Sequence, residues 1–264
     1  MIAPNNGIGE RYYNAIAVGL TLVLGLSATY ITWDYARLDA DAQARARFEF
    51  RARQIADAIR ARLTDHEGLL RGGAGLFAAA GFVERQGWLS YIGGLNIEQR
   101  YPGIQGVGFS VRVPAGEKEA HERRMRADGF PRYSISPAGE RPEYTAVIYL
   151  EPFKGSNTEL LGYDMYSEPV RRAAMELARD TGNLAISRTV RLAQDAQSDP
   201  QIGFLMYLPV FRNGAAVNVP EERRRALIGY VYTPVRTNKF MEQISFDPTD
   251  IRFEIHDGTT ADPV

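Results

Sequence analysis

Apolar and polar positions along the chain change their spacing several times, and each change predicts an element. From Tyr12 to Trp33 no side chain is charged. At a rise of about 1.5 Å per residue, a run of this length spans the roughly 30 Å hydrocarbon core of a bilayer. Tyr12, Tyr13, Tyr30 and Trp33 flank it, as interfacial aromatic residues do. Arg11 and the small residues Ser27-Ala28 also fit a cleaved secretory signal, but the length of the run favours a retained anchor. Both readings send the rest of the chain out of the cytoplasm. Arginines lie on both sides (Arg11 before, Arg37, Arg45 and Arg47 after), so the positive-inside count does not set the orientation. A short tail, residues 1–11, with a large C-terminal part fits a signal anchor whose tail is inside.

Beyond the span, residues 34–80 predict a long stalk helix. Phe48, Ala52, Ile55, Ile59, Leu63, His66 and Leu70 step by three or four residues and share one face. So narrow a stripe either docks on its own domain or pairs with a copy of itself. Gly72-Gly73-Ala74-Gly75 either ends the helix or lets a neighbour approach closely. A second helix is expected over Val83–Leu95 and a charged one over Pro114–Asp128. Ile104–Val113 alternates as a strand, with Gly106 and Gly108 leaving room beside it. Arg132–Ile135 and Tyr144–Leu150 flank a proline-and-glycine turn and predict a hairpin. Further strands are expected at Leu184–Leu192, Ile202–Phe211, Ala226–Val235 and Ile251–Ile255. Strands joined by hairpin-length connections, with helices set apart, make the fold class α+β with antiparallel sheets. The sequence closes at Ala261–Val264 just after a strand, which suggests a piece of a longer protein.

Asp164 is the first candidate for chemistry. It follows Leu161-Gly162-Tyr163 on a short loop, between the strand at Tyr144–Leu150 and a helix whose start is marked by Ser167-Glu168-Pro169. Loops held by a rigid sheet are where recognition groups sit, although exposed loop aspartates are equally common. Phe109, Tyr144, Ile148, Tyr163 and Tyr207 would supply the apolar walls of a small-molecule pocket around it, each of them also fitting ordinary core.

Composition narrows the classes. The chain has 264 residues, 45% of them hydrophobic and 11% aromatic, enough for a packed core. A net charge of −1 gives no overall basic excess and argues against nucleic acid as the main partner. The absence of cysteine excludes disulfides and thiolate chemistry. His66, His121 and His256 lack metal-ligand spacing and no Gly-x-Ser-x-Gly elbow occurs, so neither a metal nor a cofactor is expected. A hydrolase reading is left with loop carboxylates such as Glu151 and Asp164.

The segments Tyr101–Phe109, Tyr144–Pro152, Leu161–Asp164 and Arg171–Met175 with Ala178-Arg179-Asp180 together resemble the CHASE domain, an extracytoplasmic sensor module of histidine kinases and nucleotide cyclases. The resemblance runs from about Gln86 to Val235. It implies two PAS-like antiparallel-sheet subdomains after the stalk, a membrane-distal ligand-binding one at 81–199 and an incomplete membrane-proximal one at 200–264. It also implies a homodimer through the stalk, location at the inner (plasma) membrane, and an output domain outside this sequence. In cytokinin-binding members an aspartate matching Asp164 bonds an adenine-type ring, and main-chain groups matching Ile186, followed here by Ser187, hold the same ring. By the same resemblance Arg171-Arg172 is structural. Two other classes remain beside the sensor: a membrane-tethered periplasmic hydrolase and an oligomerisation module that binds no ligand.

Overall fold

A computed structural model of the chain describes residues 7–192, 202–242 and 244. The chain divides into two compact units, Met1–Asp57 and Ala58–Val264, and helix α1 (Gly7–Ala80) runs through the first into the second.

In the first unit the uncharged run is helical and exposed throughout, and by length and composition it can cross a membrane. Its hydroxyls are compatible with that. Thr21, Thr29 and Thr32 each donate to the carbonyl four residues back, at 2.8 Å, so these three hydroxyls carry their own acceptors within the helix. Phe48, which opens the stalk stripe, is 60% exposed.

The second unit continues with α2 (Arg85–Gly94), α3 (Ile97–Arg100), β1 (Val107–Pro114), α4 (Lys118–Ala127), β2 (Glu143–Glu151) and α5 (Pro169–Thr181). After them come β3 (Ala185–Ile186), β4 (Val190–Arg191), β5 (Ile202–Phe211), α6 (Pro220–Ala226), β6 (Leu227–Arg236) and α7 (Thr237–Glu242). All six strands join one sheet in the order β2-β1-β6-β5-β3, with β4 also on β5, and every pairing is antiparallel.

Strand register assigns side chains to the two faces, because alternate residues point to opposite sides. One face carries Phe109, Tyr149 and Val231. It packs on the last turns of α1 and on α2: Phe77 stacks on Phe109 at 4.0 Å and Trp88 on Tyr149 at 5.9 Å. His66, Leu70 and Phe77 are buried, so the lower part of the predicted stripe docks on its own domain. The small-residue run does not end the helix. A Cβ on Gly73 would come within 3.1 Å of Val231 and 3.4 Å of Trp88, the close approach the run permits. The other face carries Val147, Leu205, Tyr207, Tyr230 and Tyr232 and packs against Ala174, Met175 and Ala178 of α5.

Three expectations need correction. Arg132–Ile135 forms no hairpin with β2, which pairs with β1 instead. Tyr133 and Ile135 are satisfied by α4: the Tyr133 hydroxyl lies 2.8 Å from His121 Nε2, and the Ile135 amide donates to Glu122 at 3.0 Å. Leu184–Leu192 is not one strand, because between β3 and β4 the Ser187 hydroxyl takes over the ladder and accepts from the Leu205 amide at 2.9 Å. Finally, β5 and β6, expected to open a second subdomain at residue 200, complete the sheet begun by β1 and β2. Their register with β1, Gly108↔Tyr232 through Val111↔Gly229, leaves no separate sheet among the described residues. The strand expected at 251–255, His256 and the chain end lie outside the described residues.

Candidate functional site

The loop that carries Asp164 is stitched to β2 on one side and to the segment ending at Ser136 on the other. Gly162 donates to the Val147 carbonyl at 2.9 Å, Val147 donates back to the Tyr163 carbonyl at 3.0 Å, and Asp164 donates to the Ser136 carbonyl at 2.6 Å. The Asp164 side chain is 0% exposed. Its Oδ1 accepts from the amides of Thr145 at 2.8 Å and Tyr166 at 3.1 Å. Its Oδ2 accepts no hydrogen bond; the Arg141 guanidinium stands 3.4 Å away without bonding geometry. A groove of about 380 Å³ is lined in part by its neighbours Arg141 and Tyr166, with Pro142 and Arg172, but Asp164 itself is not on the groove wall.

Downstream of Asp164 the chain enters α5 through a side-chain cap. The Glu168 carboxylate accepts from the Val170 and Arg171 amides at 2.9 Å each, Pro169 fills the first turn, and Gly182 closes the helix at φ 74°. This cap fixes Arg171 on the helix face that also holds Ala174, Met175 and Ala178, all turned to the sheet. Arg171 is 5% exposed. It donates from Nη1 to the Tyr163 hydroxyl at 2.8 Å and from Nη2 to the Arg191 carbonyl at 3.1 Å.

Opposite α5 the sheet presents a tyrosine cluster. Tyr207 on β5 and Tyr232 on β6 are cross-strand partners with rings 6.2 Å apart, and Tyr230 meets Tyr166 hydroxyl to hydroxyl at 2.9 Å. The Tyr232 ring occupies the room beside Gly108. Burial pushes the pKa of Tyr166, Tyr207, Tyr230 and Tyr232 upward, which keeps these phenols neutral.

The sheet separates the predicted site residues. Tyr163, Ser187 and Tyr207 belong to the α5 side, where the Ser187 hydroxyl also donates to the Arg188 carbonyl at 2.7 Å, while Asp164 sits at the edge of β2, bridged to Ala146. Ile186 lies in the ladder opposite Met206, with its side chain 42% exposed, so only its main chain faces the sheet. Phe109 and Tyr144 are on the opposite face and do not line a pocket with Tyr207: Phe109 packs on Phe77, and Tyr144 lies under the Lys118 ammonium at 5.0 Å. Ile148 falls in the bulge of β2 opposite Phe109/Ser110, and its carbonyl accepts from Arg85 at 2.6 Å. Sequence reasoning missed Thr145, Tyr166, Arg171, Tyr230 and Tyr232. The alternation of Tyr230 and Tyr232 with Tyr207 across the pair was the available signal.

Among the described residues, seven buried side-chain polar atoms have no hydrogen-bond partner. Two of them, His66 Nε2 and Trp88 Nε1, lie on the α1 and α2 side. Of the other five, Ser110 Oγ, Arg171 Nε and the hydroxyls of Tyr207 and Tyr232 lie on the α5 side, and Asp164 Oδ2 lies on the loop beside β2, next to Arg141. Buried polar groups are otherwise paired almost without exception, so these atoms stand out from the rest of the interior. No group of three or more His, Asp or Glu residues fit to hold a metal occurs among the described residues.

Comparison with known proteins adds two findings. The family described as CHASE domain matches residues 81–264, more than half of the chain. The chain is also similar to the hybrid signal transduction histidine kinase A of Dictyostelium discoideum, with 27% identity over 100 residues. That stretch is 36% of this chain and 4% of the relative, so the chain spans a small part of the relative's length.

Proposed function

We propose, from the premise that this chain belongs to the CHASE domain family, that it is the ligand-binding part of a membrane receptor whose kinase or nucleotide cyclase output lies elsewhere in the full-length protein. The family makes the domain a sensor of signalling receptors such as histidine kinases, and not a catalyst. The apolar span in α1 supports placement at the inner (plasma) membrane with the sensor outside the cytoplasm. The exposed Phe48 and Phe50 on the stalk support pairing with a second copy.

One observation carries the ligand-binding reading: three unpartnered buried hydroxyls, those of Ser110, Tyr207 and Tyr232, face α5 from one side of the sheet, and Arg171 on α5 brings an unpartnered Nε. On the loop beside β2, Asp164 Oδ2 accepts no hydrogen bond and has the Arg141 guanidinium at 3.4 Å as an ion-pair neighbour, while Oδ1 is held by Thr145 and Tyr166. One oxygen fixes the side chain and the other is left to meet an N–H of a small molecule, for which an adenine-type ring is the first candidate. The sheet also supports coupling, since Tyr232 faces α5 while its neighbour Val231 faces α1. A ligand shifts such a receptor only by binding one arrangement more tightly, by about 1–3 kcal/mol in typical coupling.

The test begins with thermal-shift screening of the detergent-solubilised chain against adenine, N6-substituted adenines and other solutes bearing N–H donors. The compound that stabilises the chain is then titrated calorimetrically against Asp164→Asn, which keeps Oδ1 and replaces Oδ2 by an amide donor. A hydrogen bond to a charged group contributes about 1.5–3 kcal/mol, so affinity falls roughly 10- to 150-fold. Equal affinity in the variant removes Asp164 from the site.

A further inference from the structure

We propose that Arg171, Tyr207 and Tyr232 form an anion subsite on the α5 face that takes the carboxylate of a small monocarboxylic acid. The inference rests on the ligand-binding reading of this face and names the chemical class of one ligand group.

Arg171 is the only arginine or lysine among the buried residues described. A buried guanidinium carries a large desolvation penalty unless an anion offsets it. Its two hydrogen bonds go to neutral oxygens, the Tyr163 hydroxyl and the Arg191 carbonyl, and Nε has no partner. Glu168, the acid that opens α5, has both oxygens on backbone amides. A guanidinium has five N–H donors in a planar fork, so three remain, Nε among them. Fork geometry of this kind matches the two oxygens of a carboxylate.

The tyrosines complete the donor set. Tyr207 and Tyr232 are 0% and 1% exposed, their hydroxyls have no partner, and they face each other across β5 and β6. Tyr163, whose hydroxyl accepts from Arg171, packs against the buried cluster that holds Tyr207 and Tyr232, so the guanidinium approaches the same cluster, and its charge opposes the burial that raises both phenols. A neutral buried phenol can donate its proton to a carboxylate oxygen. One cation and two neutral donors balance a single negative charge, whereas a phosphate at about −1.5 to −2 would leave charge uncompensated.

The experiment is thermal unfolding of the full chain in detergent with three probes of increasing size, sodium formate, sodium acetate and sodium benzoate. Each is run beside its neutral amide at ionic strength fixed with sodium chloride, with sodium phosphate and adenine as further arms. The expected result is a rise in Tm with at least one carboxylate, none with its amide, and loss of the rise in Arg171→Met. Tyr232→Phe keeps the ring and is expected to raise the half-maximal carboxylate concentration several-fold. The proposal is overturned if all three carboxylates are silent, if an amide matches its acid, if phosphate outperforms every carboxylate, or if Arg171→Met keeps the shift. Should Arg171→Met not fold, the acid and amide pairs on the wild type and the Tyr232→Phe titration decide the matter. A rise with adenine while all carboxylates are silent ends the anion subsite but leaves ligand binding on this face intact. Silence in every arm counts against both.

Discussion

Replacing Asp164 by alanine separates the structural half of its carboxylate from the half assigned to ligand. Two buried amides donate to Oδ1, but they do not depend on it equally. Tyr166 N also reaches the Thr145 hydroxyl at 3.0 Å and keeps an acceptor when the carboxylate is gone. Thr145 N, at 2.8 Å from Oδ1, points away from β1 to the Asp164 loop, as Val147 N does, and becomes an orphan on β2. Leaving one buried N–H unsatisfied costs about 1–3 kcal/mol. Some of that is returned, because the unbonded Oδ2 also leaves the interior. For a domain of this size each kcal/mol moves Tm by roughly 2–4 °C, so Asp164→Ala is expected to melt several degrees below the wild type. Asp164→Asn retains the accepting oxygen and is expected to melt between the two. Hydrogen exchange gives the local readout: the Thr145 amide loses protection in the alanine variant and keeps it in the asparagine variant. If Asp164→Ala melts with the wild type and the Thr145 amide stays protected, the carboxylate does not hold this loop.

Two further outcomes follow from the core. Burial and the nearby Arg124 charge push His121 down to about 4 from its ordinary 6.5. The unfolded chain therefore binds more protons between those values, and stability is expected to fall as pH drops from about 6.5 to about 4, flattening below that. The loss is on the order of 3 kcal/mol, and it is read as the pH dependence of the difference between wild type and His121→Gln, in which Gln can still meet the Tyr133 hydroxyl. A difference constant across that window contradicts the assignment. In Gly108→Ala the added methyl would lie 2.5 Å from the Tyr149 carbonyl and 2.6 Å from the Tyr232 ring. Because one of these neighbours is backbone, overpacking of about 1–3 kcal/mol is expected, measured as a lowered denaturation midpoint; an unchanged midpoint would mean that β1 and β2 separate freely.

The elements with long, strongly patterned sequences were legible. Ile202–Phe211 and Leu227–Arg236 stand where the alternation of apolar residues puts them, and α5 starts at the Ser167-Glu168-Pro169 signal. What periodicity does not encode is which strand pairs with which. Arg132–Ile135 and β2 are close in sequence and joined by turn residues, yet β1 offers β2 an eight-residue register from Val107↔Glu151 to Pro114↔Glu143. The longer ladder wins, and Tyr133 and Ile135 find their partners on α4. The assignment of 200 onward to a second subdomain failed for the same reason, since pairing between β1 and β6 is a long-range contact that neither segment announces.

The site shows the same limit more sharply, and also where it can be overcome. Phe109, Tyr144 and Tyr207 are all aromatic strand residues, and one pocket shared by them satisfies composition. The register Gly108↔Tyr232↔Tyr207 places Tyr207 on the face of Gly108, so Phe109 must point the other way, and Val113↔Tyr144 carries Tyr144 with it. The bulge at Phe109/Ser110 adds a phase shift on β2 that no alternation rule supplies. Arg171 is different, because its position could be read without any pairing. Residues 171, 174, 175 and 178 share one helical face, and three of them are Ala174, Met175 and Ala178, the apolar stripe of α5. A lone arginine in such a stripe must be buried with a partner or extend past the core to water. The structure takes the first course, burying it against the Tyr163 hydroxyl and ring and the Arg191 carbonyl, which are neutral groups, and it is this mismatch that suggests an anionic ligand group.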